Sequence, residues 1–239
     1  MNIFDSWLVK MPIAHRGLHN DEVPENSLAS FENAIKHKYA IEIDLRMTSD
    51  GTVVVFHDDN LGRMTGSSGY VNKTTIEDLK KLRLAGTGEQ IPTLKETLDF
   101  VAGRTPLLIE IKNMNKVGIE KNVWEVLASY TGEYAIQSFN PYTLEWFKEH
   151  APHVKRGQLS SFFRHADIGF TKRMALKKLW LNRVSEPNFI GYNIDDLPNR
   201  WVKKYRDLPL LAWCVRTIEQ KEKAEKFADN IIFENIDPE

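Results

Sequence analysis

The run Ala40-Ile41-Glu42-Ile43-Asp44-Leu45-Arg46-Met47-Thr48-Ser49-Asp50-Gly51-Thr52-Val53-Val54-Val55-Phe56-His57 decides how this chain folds. Ala40 to Leu45 alternates apolar residues with Glu42 and Asp44, the period-two pattern of a strand. Ser49-Asp50-Gly51 is a tight-turn signal, so Thr52 to His57 is expected to double back on the first leg as a hairpin. With that returning leg set aside, eight segments keep strand character: Pro12 to His15, Ala40 to Leu45, Pro106 to Ile111, Tyr134 to Ser138, Val154 to Leu159, Asn188 to Asn193, Pro209 to Val215 and Asn230 to Phe233. Eight strands are what a (β/α)8 TIM barrel requires.

Helical patterns separate most of these strands: Ser27 to His37, Thr93 to Ala102, Lys116 to Ser129, Pro141 to Glu149, Ala166 to Leu181, Pro198 to Tyr205 and Thr217 to Phe227. Alternation of this kind favours an α/β chain with a parallel sheet and right-handed crossovers; a doubly wound open sheet is the alternative. Leu61 to Ile91 reads as an excursion with a short helix, Ile76 to Leu82, so residues 59–90 are expected to form a small insertion after the second strand. No linker, repeat or low-complexity tract interrupts the chain, and a single domain over residues 1–239 is expected.

The net charge of −1 argues against a nucleic-acid binder working through a broad electrostatic field. A single cysteine, Cys214, excludes a disulfide framework and reads as a buried thiol on a strand. Met1 to Lys10 lacks the pattern of a secretory signal, and no apolar run approaches the roughly 20 residues that span a bilayer. A cytoplasmic protein is the expectation.

Polar or aromatic residues fall at or near the carboxyl end of every expected strand: His15, Asp44, Lys112, Ser138, Gln158, Asn193, Trp213 and Glu234. Barrel enzymes gather their sites there. Glu42 and Asp44 share a face, as do Glu110 and Lys112, and the three carboxylates make an oxygen-only cage suited to a hard divalent cation, Mg²⁺ or Ca²⁺, with Mn²⁺ also compatible. Lys112 could neutralise a phosphate oxygen or simply pair with Glu110. Arg16 could hold a phosphate by its planar fork, with Gly17 letting the backbone approach the ligand, or could form a loop ion pair. His15 and His57 both have polar neighbours, and two imidazoles can supply the base and the acid that phosphodiester cleavage needs. His19, His37, His150, His153 and His165 lack that context and read as surface or loop residues. Asn26 could bond a substrate or a metal-bound oxygen, and Ser27 caps the following helix. There is no phosphate-cradling glycine loop, nucleophile elbow or His-Glu-x-x-His motif.

With these residues assembled, the chain resembles the glycerophosphodiester phosphodiesterase family. The matching text is His15-Arg16-Gly17, Pro24-Glu25-Asn26-Ser27, Glu42-Ile43-Asp44-Leu45-Arg46, Asp50-Gly51, His57-Asp58, Arg63-Met64-Thr65-Gly66, Ile91-Pro92-Thr93-Leu94, Glu110-Ile111-Lys112, Gln137-Ser138-Phe139 and Trp213. The resemblance implies a TIM barrel, a divalent cation on Glu42, Asp44 and Glu110, an acid/base pair of His15 and His57, and phosphate contacts from Arg16 and Lys112; Asn26 and Trp213 are further candidates for substrate binding. It implies hydrolysis of a glycerophosphodiester to glycerol 3-phosphate and an alcohol. Where the family commonly has Thr-Asp and a proline after its last strand, this chain has Phe233-Glu234-Asn235-Ile236-Asp237-Pro238, which bears on the pocket wall and leaves the metal and histidine positions untouched. Competing readings are a lysophospholipase D, a lyase that stops at a cyclic phosphate, and, remotely, a catalytically silent phosphate-binding scaffold. Phe162-Phe163-Arg164 and the basic run Lys172, Arg173, Lys177, Lys178, Trp180 and Arg183 could touch an anionic membrane, but a solvated basic helix face is the favoured reading.

Overall fold

The computed structural model describes residues 2–112, 118–164 and 166–238. Among them run nine strands: β1 (Ile13–Ala14), β2 (Ala40–Met47), β3 (Val53–Val55), β4 (Leu107–Ile111), β5 (Tyr134–Ser138), β6 (Lys155–Ser160), β7 (Phe189–Asn193), β8 (Leu210–Val215) and β9 (Asn230–Phe233). The principal helices are α1 (Leu28–Lys36), α2 (Leu94–Val101), α3 (Glu120–Leu127), α4 (Pro141–His150), α5 (Phe170–Lys177) and α6 (Ile218–Phe227). The strands form one sheet in the order β1-β9-β8-β7-β6-β5-β4-β2-β3, and β1 also pairs with β2. This is the strand order of a (β/α)8 TIM barrel, to which β3 adds an antiparallel ribbon on β2, with Leu45 opposite Val55 and Met47 opposite Val53.

The chain divides into two compact units. In the first, residues 14–112 and 118–134, β2 runs parallel to β4 with Asp44 opposite Glu110 and Ile43 opposite Ile109. The alternation sends Ile41, Ile43 and Leu45, all fully buried, to one face of β2 and the carboxylates of Glu42 and Asp44 to the other. Ser27 caps α1 by accepting from the Ser30 N–H, while the Ser30 hydroxyl accepts from the Ser27 N–H. Thr93 and Glu96 form the equivalent box on α2. After β3 the chain makes a series of short helical turns held around Phe56, Leu61, Met64, Val71, Leu79, Leu84 and Ile91, which pack into a small core of their own with Val54.

In the second unit, residues 2–13 and 135–238, β5 to β9 run parallel, and Ile190, Tyr192, Ile194, Ala212 and Val215 pack with Leu179, Leu197 and Ala224. Two expected helices are shorter here. Ala166 to Leu181 becomes α5 and a separate turn, Asn182–Ser185, because Leu179 takes a left-handed conformation (φ 57°) that ends the helix. Pro198 to Tyr205 contains only a 3-10 turn, Val202–Tyr205, started by the Asn199 side chain accepting from the Trp201 and Val202 N–H groups. Its continuation is checked by Pro209, which disfavours helix in the residue before it. Lys116, the expected start of the third helix, lies outside the described residues, and the described helix begins at Glu120.

Candidate active site

Strand register brings the carboxylates together before any side chain is considered. Glu42 and Asp44 point the same way from β2, Glu110 sits beside Asp44 on β4, and the ligand oxygens of all three lie within 4.8 Å of one another. All three side chains are almost completely buried. Burial pushes the Glu42 carboxyl well up, and its neighbours Asp44 and Glu110 push it the same way. Burial also raises Glu110, more than Lys112 offsets. Asp44 goes in the other direction: burial works against its charge, but Lys112, His57, Arg16 and His15 outweigh burial and keep it ionised. The Lys112 ammonium lies 2.7 Å from Glu110 and 3.0 Å from Asp44, and these two carboxylates raise its pKa although burial opposes them. Lys112 is therefore paired with Glu110, one of the two readings drawn from the sequence, and with Asp44 as well. Glu42 Oε1 is buried with no hydrogen-bond partner among the described residues. An unpaired buried carboxylate oxygen is costly, and three converging carboxylates with one such oxygen fit a hard divalent cation.

Arg16 enters from the turn after β1. Its backbone N–H donates to Glu42 Oε2 at 3.0 Å, its Nη1 donates to Glu25 at 2.8 Å, and its Nε lies 3.3 Å from Asp44 Oδ2. The turn is strained: Arg16 and Asn26 both have positive φ, 57° and 54°, and the Asn26 N–H bonds back to the Arg16 carbonyl. Asn26, fully buried, donates to Asp44 Oδ2 at 2.9 Å while its own amide oxygen accepts from the Asp44 N–H at 3.3 Å. Asn26 thus fixes the orientation of a carboxylate of the cluster. Gly17 is required by the packing of the turn itself. A Cβ there would fall 2.3 Å from Ser30 Oγ, so the absent side chain lets the turn close onto the capping box of α1.

His57 follows β3, and its Nδ1 donates to Asp58 at 2.6 Å, which leaves Nε2 to carry the lone pair. Burial lowers the imidazole pKa, and the nearby Lys112 and Arg16 add to the effect, outweighing Asp44 and Asp58. Asp58 accepts from Arg63 at 2.6 Å, and Arg63 in turn donates twice to Glu25, at 2.7 and 2.9 Å. Burial acts to raise the Asp58 carboxyl, but the hydrogen bonds from Arg63 and His57 win and hold it at about 2. A continuous chain of charges, His57, Asp58, Arg63, Glu25, Arg16 and Asp44, results. The pairing of Glu25 with Arg63 is hidden in the sequence, because the two are 38 positions apart. His15 sits in the turn immediately after β1, within electrostatic reach of Asp44.

Trp213 belongs to the second unit. It lies in β8 with its ring edge-on to Phe139, centroids 5.4 Å apart, and its indole nitrogen is buried. Cys214 is buried on the same strand, as expected. Of the remaining histidines, His37 and His150 are exposed at helix ends, each bonded to a carbonyl one turn back; His153 is exposed in a turn, and His19 is half-buried in the loop after β1. His165 lies outside the described residues.

The chain matches the glycerophosphoryl diester phosphodiesterase family over residues 15–236. A glycerophosphodiester phosphodiesterase of Caldanaerobacter subterraneus subsp. tengcongensis is 39% identical over 160 residues, covering 62% of this chain and 65% of that relative. Another, from Bacillus altitudinis, is 32% identical over 178 residues, covering 69% of this chain and 72% of the relative. Among solved structures, an Oleispira antarctica phosphodiesterase in complex with the product sn-glycerol-3-phosphate superposes with a TM-score of 0.80 at 25% identity, covering 95% of this chain and 93% of that one.

Proposed function

The chain belongs to the glycerophosphoryl diester phosphodiesterase family, and from that premise we propose that it hydrolyses glycerophosphodiesters to glycerol 3-phosphate and an alcohol, using the buried carboxylate cluster and its two flanking histidines. The observation that carries the proposal is the cluster itself: Glu42, Asp44 and Glu110 converge in the interior, with Glu42 Oε1 lacking a partner among the described residues. A divalent cation bound there would be held by these three residues and would supply charge neutralisation at the phosphate.

Each of the chain's own residues then has a definite task. Arg16 and Lys112 meet the non-bridging oxygens, where fixed positive groups stabilise the charge that develops as the diester is attacked. Asn26 keeps Asp44 oriented. His57, favoured in its neutral form by burial and with its Nδ1–H committed to Asp58 so that Nε2 carries the lone pair, takes the proton from the attacking oxygen. His15 gives a proton to the departing alcohol oxygen.

The test is release of glycerol 3-phosphate from glycerophosphocholine, glycerophosphoethanolamine and glycerophosphoglycerol after EDTA treatment, with Mg²⁺, Ca²⁺ or Mn²⁺ restored. Metal-restored release establishes the reaction and ranks the alcohols. Folded, metal-loaded protein that leaves all three diesters intact would overturn it.

A further inference from the structure

From the start of α5 to the 3-10 turn Val202–Tyr205, the chain carries eight Lys or Arg residues against three Asp or Glu, although its overall net charge is −1. This concentration of positive charge coincides with exposed aromatic surface: Phe170 is 75% exposed and Trp180 53%. The two features are physically joined. The Lys178 ammonium lies over both the Trp180 ring, at 4.7 Å, and the Trp201 ring, at 5.0 Å, while Arg200 stacks on Trp201 at 4.2 Å and Lys204 approaches the same ring at 5.9 Å. Lys172, Lys178, Arg200, Lys203 and Lys204 make no ion pair with a carboxylate among the described residues, unlike Lys81, Lys95 and Lys148, whose ammonium groups each meet one. The patch thus presents cations and indole rings together, with Lys178, Arg200 and Lys204 resting on the rings rather than on carboxylates.

A solvated basic helix face would explain the lysines and arginines. It leaves unexplained why a phenylalanine and a tryptophan are exposed on the same segment as those cations. Basic residues interleaved with Trp and Phe match the interfacial zone of a bilayer, where indoles lie at headgroup level and ammonium groups meet lipid phosphates.

We propose that the surface carried by Phe170, Lys172, Lys178, Trp180, Trp201 and Lys204 docks the protein on an anionic lipid bilayer. The proposal is independent of the reaction at the carboxylate cluster, and its test is read without catalysis.

The test is flotation of the full chain with phosphatidylcholine vesicles and with mixed phosphatidylglycerol–phosphatidylcholine vesicles, with Trp fluorescence followed in parallel. The expected result is binding to the mixed vesicles that exceeds binding to the neutral ones by about tenfold or more and is weakened by added salt. Lys178→Glu combined with Lys204→Glu should remove that preference. Phe170→Ala combined with Trp180→Ala should weaken binding with little change in the salt dependence. Turnover of water-soluble glycerophosphocholine should be unaltered in both variants, which shows that they are folded. Equal affinity for the two vesicle types, or binding unchanged in the charge-reversed variant, would overturn the proposal, as would capture of single-stranded RNA without vesicle binding.

Discussion

At the scale of the single residue, His57 combines two features that a general base requires: one nitrogen fixed by Asp58 and a pKa lowered by burial. His57→Ala is expected to reduce kcat by ~10²–10⁴ while leaving the circular dichroism spectrum intact, and near-normal turnover would rule out the assignment. The sign of the pH effect follows from the same contacts. A base is active when deprotonated, so kcat/KM should rise with pH through a point below the ordinary imidazole value. Asp58 acts to raise that value, so Asp58→Asn should move the acid limb to still lower pH, and a shift toward higher pH would contradict the geometry. The convergence of the three carboxylates was legible in the sequence, because Glu42 and Asp44 share a two-residue spacing on one strand and Glu110 sits near the end of another. Arg63 was not, since nothing local marks a residue in a short helical turn as the partner of Asp58 and Glu25.

Elements were legible to the extent that their patterning is local. The β2–β3 hairpin followed from Ser49-Asp50-Gly51 between two apolar legs, and α1 from Ser27, whose cap is present. Ser27→Ala should cost about 1 kcal/mol of stability in chemical denaturation, the usual value of a lost cap. Gly17→Ala should cost about 1–3 kcal/mol, because it adds strain at φ 78° to a Cβ placed against Ser30. Unchanged midpoints in either variant would contradict the tight closure of the first turn on α1. The long helix expected over Ala166 to Leu181 was misjudged for the converse reason: its composition favours helix throughout, and the backbone reversal at Leu179 is set by packing, which leaves that side chain 1% exposed.

For the whole molecule, alternation of strands and helices was enough to indicate a barrel, because strand count and connection type are properties of pattern rather than of particular contacts. What pattern could not convey is the balance of charge at the cluster. Among the described residues, three buried carboxylates there face the ammonium of Lys112 and the guanidinium of Arg16. A divalent cation that binds only the native state should therefore raise Tm in proportion to the logarithm of its concentration, and Glu42→Gln should both weaken this response and make the metal-free protein no less stable than the parent. Equal cation-dependent shifts in parent and variant would exclude Glu42 as a ligand. The pairing of Asp44 with Glu110 across β2 and β4 reaches beyond the finished structure, to the order of events as the chain folds. Docking these strands brings two carboxyl groups side by side at the moment when water is being expelled, which opposes their association to the extent that both are ionised. Lys112, two residues after Glu110, arrives on the same strand and lowers that barrier in part. Refolding from denaturant should then be faster with a divalent cation present from the outset than in chelator.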